Sequence, residues 1–314
     1  MRKAFVFMVV FWGLAIGLQS GWAQGTVGKQ VTITTRTAGE YSVDLNANTQ
    51  GPAPGDVAME ILLQDNGIST RVVPDKLFYD ITGGADVWLK ADTGEEVPVN
   101  LVIFSGSGGS SDVPDVNPIF EKKIPMLMGE HVCLAQEAKP GSIKMYKGAA
   151  EGHKDFRDNA IRKIKIVNKD HPITKGIPTD ADGFVQVFRD PFPNEGLFTK
   201  WLDKGSFVAD GLYENRVALG SVANKADGTV ILAEIDLADD IRVCLAVVDQ
   251  GGVLADGTKS PCRLVHWITN EEGSGGPRRD FMALNKTGRE LFVRAVRWAL
   301  GMEPGTPVVD FFEY

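Results

Sequence analysis

Two stretches of this chain are apolar without alternation: Val99-Asn100-Leu101-Val102-Ile103-Phe104, interrupted by one Asn, and Ile124-Pro125-Met126-Leu127-Met128. A strand with one wet face alternates apolar and polar side chains, so such runs belong to strands buried on both faces, as in a parallel sheet covered by helices. Each run stops at residues suited to a turn, the first at Ser105-Gly106-Ser107-Gly108-Gly109-Ser110-Ser111 and the second at Gly129-Glu130-His131. An open antiparallel meander is thereby excluded, and an α/β layering is expected.

The neighbouring segments fit that layering. Residues 31–35 and 41–45 alternate like strands at an N-terminal edge. Pro54-Gly55-Asp56 opens a helix with Val57, Ala58, Ile61 and Leu62 on one face, and Gly67 stands where a left-handed residue ends it. A strand over 68–73 follows, stopped by Pro74, and 82–100 reads as a surface excursion. The second half is richer in strands, at 162–167, 184–188, 217–222, 229–235, 242–248 and 263–268. Thr287-Gly288-Arg289-Glu290 reads as a capping box with Thr287 at the N-cap, opening a helix over 288–300 that Gly301 and Pro304 end. At 314 residues, with no repeat and no Pro- or Ser-rich linker, the chain reads as one large domain.

The N-terminus has the pattern of a leader. Arg2 and Lys3 precede an apolar run over 4–18, and Gly21 and Ala23 supply the small residues of a cleavage site. The run is short for a membrane span, which needs about 20 residues. Residues 1–23 are therefore expected to be a signal peptide, leaving a secreted or periplasmic protein with no membrane partner after cleavage. The formal charge of −8, from 33 basic and 41 acidic side chains, comes with no basic cluster interleaved with aromatics, so no nucleic-acid partner is expected. Cys133, Cys244 and Cys262 are too few for a disulfide scaffold and have no zinc-ligand spacing. If the runs at 242–248 and 263–268 pair as a hairpin about Val253, Cys244 and Cys262 come close enough to bridge, and Cys133 stays free.

Several segments in order, Gly55-Asp56, Asp65-Asn66-Gly67, LVIFSGS from Leu101, IPMLMGE from Ile124, HPITKGI from His171 and LFVRAVRWALG from Leu291, resemble trehalose-utilisation (ThuA-like) proteins of the class I glutamine amidotransferase-like superfamily. The resemblance covers residues 40–302. It leaves 24–39 as an edge segment and 303–314 as a tail. It implies a flavodoxin-like three-layer α/β/α sandwich with a mostly parallel sheet and β-rich additions in the second half. It also implies a carbohydrate or related small polar molecule as ligand.

Departures from the family pattern bear on chemistry. In active glutamine amidotransferases the strand resembling Ile124 to Gly129 delivers a Cys nucleophile five residues after its Pro; here that position is Glu130, which forms no thioester. His171-Pro172 is followed by Ile173 rather than Glu and lies mid-chain, and His266 falls earlier than the Gly-His that often ends the penultimate strand in ThuA-like proteins.

The polar candidates follow from position. Ser105, Gly106, Ser107, Gly108 and Gly109 end a buried strand, where loop amides can face an anion or a sugar oxygen, or simply make a tight turn. The loop is neither a G-x-G-x-x-G nor a P-loop, and no cofactor is expected. Ser107, Asp236 and His266 occur in the order of an α/β-hydrolase triad, but Ser105 stands where G-x-S-x-G needs Gly. Glu130 and His131 form the best acid–base pair; alternatively Glu130 accepts from turn amides and orders the fold. His171 is a further ligand candidate, or a residue that fixes the turn before Pro172. The expected function is an exported ThuA-like domain without the amidotransferase nucleophile that binds a carbohydrate or similar molecule. The alternatives are a hydrolase or isomerase on a sugar-related substrate through Glu130 and His131, and a non-catalytic structural or interaction module. An enzyme or binder must expose Glu130 and His131 to a pocket, whereas a module would bury both.

Overall fold

The computed structural model describes residues 30–35, 54–74, 87–89, 96–107, 115–135, 142–148, 153–156, 162–188, 215–237, 240–270 and 280–310. The expected leader over 1–23, the expected strand over 41–45, and Gly108 and Gly109 lie outside them.

In chain order the strands are β1 Gln30–Thr35, β2 Ser69–Pro74, β3 Val87–Leu89, β4 Glu96–Pro98, β5 Leu101–Phe104, β6 Met126–Met128, β7 His153–Phe156 and β8 Lys163–Ile166. They continue with β9 Phe184–Gln186, β10 Asn215–Ala218, β11 Gly220–Ser221, β12 Thr229–Asp236, β13 Ile241–Val248, β14 Leu264–His266 and β15 Thr269–Asn270. The helices are α1 Pro54–Asp65, α2 Asn117–Glu121 and α3 Lys286–Ala299. The main sheet runs β2-β1-β5-β6-β14-β13-β12-β8-β9, with β11 beside β13. Neighbours from β2 to β14 are parallel, and those from β14 to β9 antiparallel. The fold is thus a mixed α/β sandwich with a parallel core and added antiparallel strands. A small sheet, β15-β10-β7, and the β3–β4 pair within the expected surface excursion complete the described strands.

The parallel part follows from the two unalternating runs. Leu101 and Ile103 point to the face that packs α1 and α3, with Leu62, Leu63, Phe292 and Val296. Val102 and Phe104 point to the other face, with Ile119 of α2, Met126 and Met128. Both faces are buried, so neither strand needs a polar side chain. α1 ends as expected: Gly67 takes φ +73°, and the amides of Gly67 and Ile68 return to Gln64 O and Leu63 O. The open edges are covered by side chains, Gln64 Nε2 donating to Thr70 O of β2 at 3.2 Å and Asn285 Nδ2 to Gln186 O of β9 at 2.9 Å.

Two expectations need correction here. α3 starts earlier than the capping box implied: Asn285 is the N-cap, its Oδ1 accepting from Gly288 N at 3.0 Å, and Glu290 pairs with Arg294 instead of reaching back. Asn285 prevails over Thr287 because its amide also anchors β9. Gly288 lets the first turn press against that strand, since a Cβ there would lie 2.5 Å from Val187 O. The second correction concerns the cysteines. The β13–β14 hairpin forms, but its register pairs Ala246 with His266 and Val248 with Leu264, which sets Cys244 and Cys262 about 20 Å apart along the ladder. They also face opposite sides of the sheet, and Cys133, Cys244 and Cys262 are all buried thiols outside any disulfide.

Candidate functional site

The order β2-β1-β5-β6 reverses direction between β1 and β5. The helices that follow those strands lie on opposite faces of the sheet, α1 on one and α2 on the other, and the carboxyl ends at such a reversal are where α/β proteins bind ligands. Three segments meet there: the first turn of α1 with Asp56, the turn after β5 with Ser105 to Ser107, and the turn after β6 with Gly129 to His131.

Asp56 is the hub of the first two. Its carboxylate, 1 % exposed, accepts the Ser105 hydroxyl at Oδ1 and the Ser107 hydroxyl at Oδ2, the latter at 2.6 Å. The Ser107 amide turns inward as well, donating to Ser105 Oγ at 3.1 Å. A buried carboxylate is tolerated here because the α1 N-terminus and two hydroxyl donors solvate it.

Glu130 organises the third segment. As N-cap of the 3-10 turn His131–Leu134, it accepts Val132 N at Oε1 (3.3 Å), and its carbonyl accepts Cys133 N (3.2 Å). His131 Nδ1 lies 3.2 Å from the same Oε1. Glu130 is 1 % and His131 9 % exposed. Gly129 makes the turn possible: its amide donates to Phe104 O at 2.9 Å, and a Cβ would stand 2.8 Å from Thr269 O and 3.0 Å from Gly106 N.

Behind this turn, Tyr146 OH bonds His266 Nδ1 at 2.8 Å and His266 Nε2 bonds Ala218 O at 3.1 Å. A carbonyl only accepts, so Nε2 carries the proton and Nδ1 receives the tyrosine hydroxyl. Burial, with His131 adding, lowers the pKa of His266 to about 3 against the opposing pull of the Ala218 carbonyl.

Ser105, Gly106, Ser107, Glu130 and His131 therefore gather at one edge. His171 does not join them. It packs on Trp298 at the amino end of β14, with ring centroids 5.3 Å apart, near Arg263 and Asp249. Its Nδ1 accepts Ile173 N at 3.3 Å, and its carbonyl accepts the amides of Thr174 and Lys175, so it fixes the turn. Burial, with Arg263 adding, lowers its pKa to about 4 against the pull of Asp249. Ser107 and His266 are committed to Asp56 and Tyr146, so the hydrolase order of Ser107, Asp236 and His266 makes no triad. The sequence reading missed Asp56 and Tyr146 as site residues. Asp56 was within reach, since the reversal in strand order puts the opening of α1 beside the end of β5. Nothing local marks Tyr146. Among the described residues, no group of three or more His, Cys, Asp or Glu side chains could hold a metal ion, and no helix is long and apolar enough to cross a membrane.

No family model and no curated protein matches the chain. Among solved structures, the cytoplasmic protein STM3548 from Salmonella typhimurium aligns over 86% of this chain and 98% of its own, at 11% identity and a TM-score of 0.40. That protein is described as cytoplasmic, whereas the sequence led to the expectation of a secreted or periplasmic, carbohydrate-binding ThuA-like domain.

Proposed function

We propose that this chain is a non-catalytic interaction module built on an amidotransferase-like, flavodoxin-like fold of the kind its motifs resemble. One observation carries the reading. Where such a scaffold would present a nucleophile after β6, Glu130 is buried and its Oε1 is spent on the Val132 amide and His131. Ser105 and Ser107 are likewise turned onto Asp56. Polar side chains that bond one another below the surface stiffen the three turns and leave protein contact, rather than turnover, as the role of the domain.

A second reading has the 3.2 Å Glu130–His131 contact in its favour: a general acid–base pair at the carboxyl edge. Replacing Glu130 with Gln separates the two. A module loses stability, because the cap and the His131 contact are its purpose there. A catalyst keeps its stability, because charge at a catalytic site is held for the reaction.

A further inference from the structure

The segment after α3 has no helix or strand over 303–310, yet it is tied down by side chains of two helices. Asn66, at the end of α1, treats Val309 as a strand partner would: its Oδ1 accepts Val309 N at 2.9 Å and its Nδ2 donates to Val309 O at 2.7 Å. The same amide donates to Leu62 O inside α1 at 2.8 Å. From α3, Arg297 Nη1 donates to Thr306 O at 2.6 Å, and Arg289 grips Asp310 through Nε and Nη2 at 2.9 and 2.7 Å. Both side chains of that ion pair are buried. The direct hydrogen bond between the helices, Arg297 Nη2 to Asn66 Oδ1, is longer at 3.2 Å.

We propose that residues 303–310 are a latch that holds α1 against α3 and, through α1, sets the Asp56 cluster at the other end of that helix. α1 is a continuous helix from Pro54 to Asp65, so a shift at Asn66 is carried to Asp56, which holds Ser105 and Ser107. A buried ion pair adds little net stability against an apolar substitute but fails sharply when one partner is lost. Such chemistry suits a contact that is either fully made or released. The latch does not depend on whether Glu130 and His131 are a structural cap or a catalytic pair.

Native-state hydrogen exchange tests it on the full chain, on a chain ended at Gly305, and on the Asp310→Asn variant. The expected result is exchange at least about tenfold faster for the amides of 58–65 and for Ser107 in both variants, with β13 amides 243–247 unchanged. Addition of a peptide of residues 303–314 to the shortened chain restores the slow rates. Unchanged protection in α1, or an equal loss in α1 and β13, overturns the latch. Should the shortened chain fail to fold, Asp310→Asn alone decides.

Discussion

Tyr146 gives its hydroxyl proton to His266 Nδ1 at 2.8 Å, in a T-shaped ring contact, and this fixes which tautomer of His266 the β14 strand carries. The tyrosine is seated by Gly220, where any Cβ would fall 2.3 Å from its ring. Tyr146→Phe keeps the ring but leaves a buried imidazole nitrogen without its donor. The expected loss is about 1–3 kcal/mol, read from urea unfolding. A midpoint equal to that of the parent protein would show that the pair does not hold this edge.

His266 also ties stability to pH. Its folded pKa of about 3 lies below the ordinary 6.5, so between these values the unfolded chain binds more protons than the native one. Stability is therefore full above pH 6.5 and falls as pH is lowered toward 3, with His171 contributing in the same direction down to about 4. At most the His266 slope is about 1.4 kcal/mol per pH unit. Asp256, brought down to about 2 because Lys144 and Thr258 outweigh the cost of its desolvation, adds its own loss only below 3.8. Urea unfolding at pH 7, 5 and 4 should show a shallower decline in a His266→Gln variant. Parallel declines would remove His266 from the account.

Asn285 and Thr287 offer a clean contrast at the start of α3. Asn285→Ala removes the cap to Gly288 and the anchor to Gln186, at an expected cost of about 1–2 kcal/mol. Thr287→Ala removes neither and should be close to neutral. Thermal unfolding that ranks the two the other way would restore the capping box.

Those residues also show what the sequence can and cannot reveal. The unalternating runs at Leu101 and Met126 determined their strands and the sheet, because burial on both faces leaves a composition that no other element needs. Gly67 marked the end of α1 for an equally local reason. Caps are harder: Asn285 and Thr287 are both good N-caps, and only contact with β9 chooses between them. The hairpin of β13 and β14 was legible, but its register was not: Ala246 pairs with His266, which centres the turn on Asp256 rather than Val253, and the irregularities in the β12–β13 pairing change which face Cys244 takes. Cys244 thus faces α3 while Cys262 faces α2. The site was partly legible, since Ser105, Ser107, Glu130 and His131 directly follow buried strands. Tyr146 and His266 meet across 120 residues of chain, and no local pattern encodes that meeting.

Glu130→Gln is the decisive substitution. Gln preserves the size of the side chain and one acceptor, and deletes the charge. If Glu130 is the cap of a rigid module, the change sets an NH₂ group where the Val132 amide and His131 already converge, or else leaves those donors with a neutral acceptor. Either arrangement costs about 1–3 kcal/mol in a buried turn. The melting temperature should fall markedly, and His131→Asn should add little once the charge is gone, because two residues in one contact are not independent. If Glu130 instead serves an acid–base reaction, its charge is carried at a cost to the fold, and Gln should leave the melting temperature unchanged or raise it. A melting temperature at or above that of the parent protein would therefore end the module reading, and a marked fall removed by no further loss in the Glu130→Gln, His131→Asn double variant would end the catalytic one.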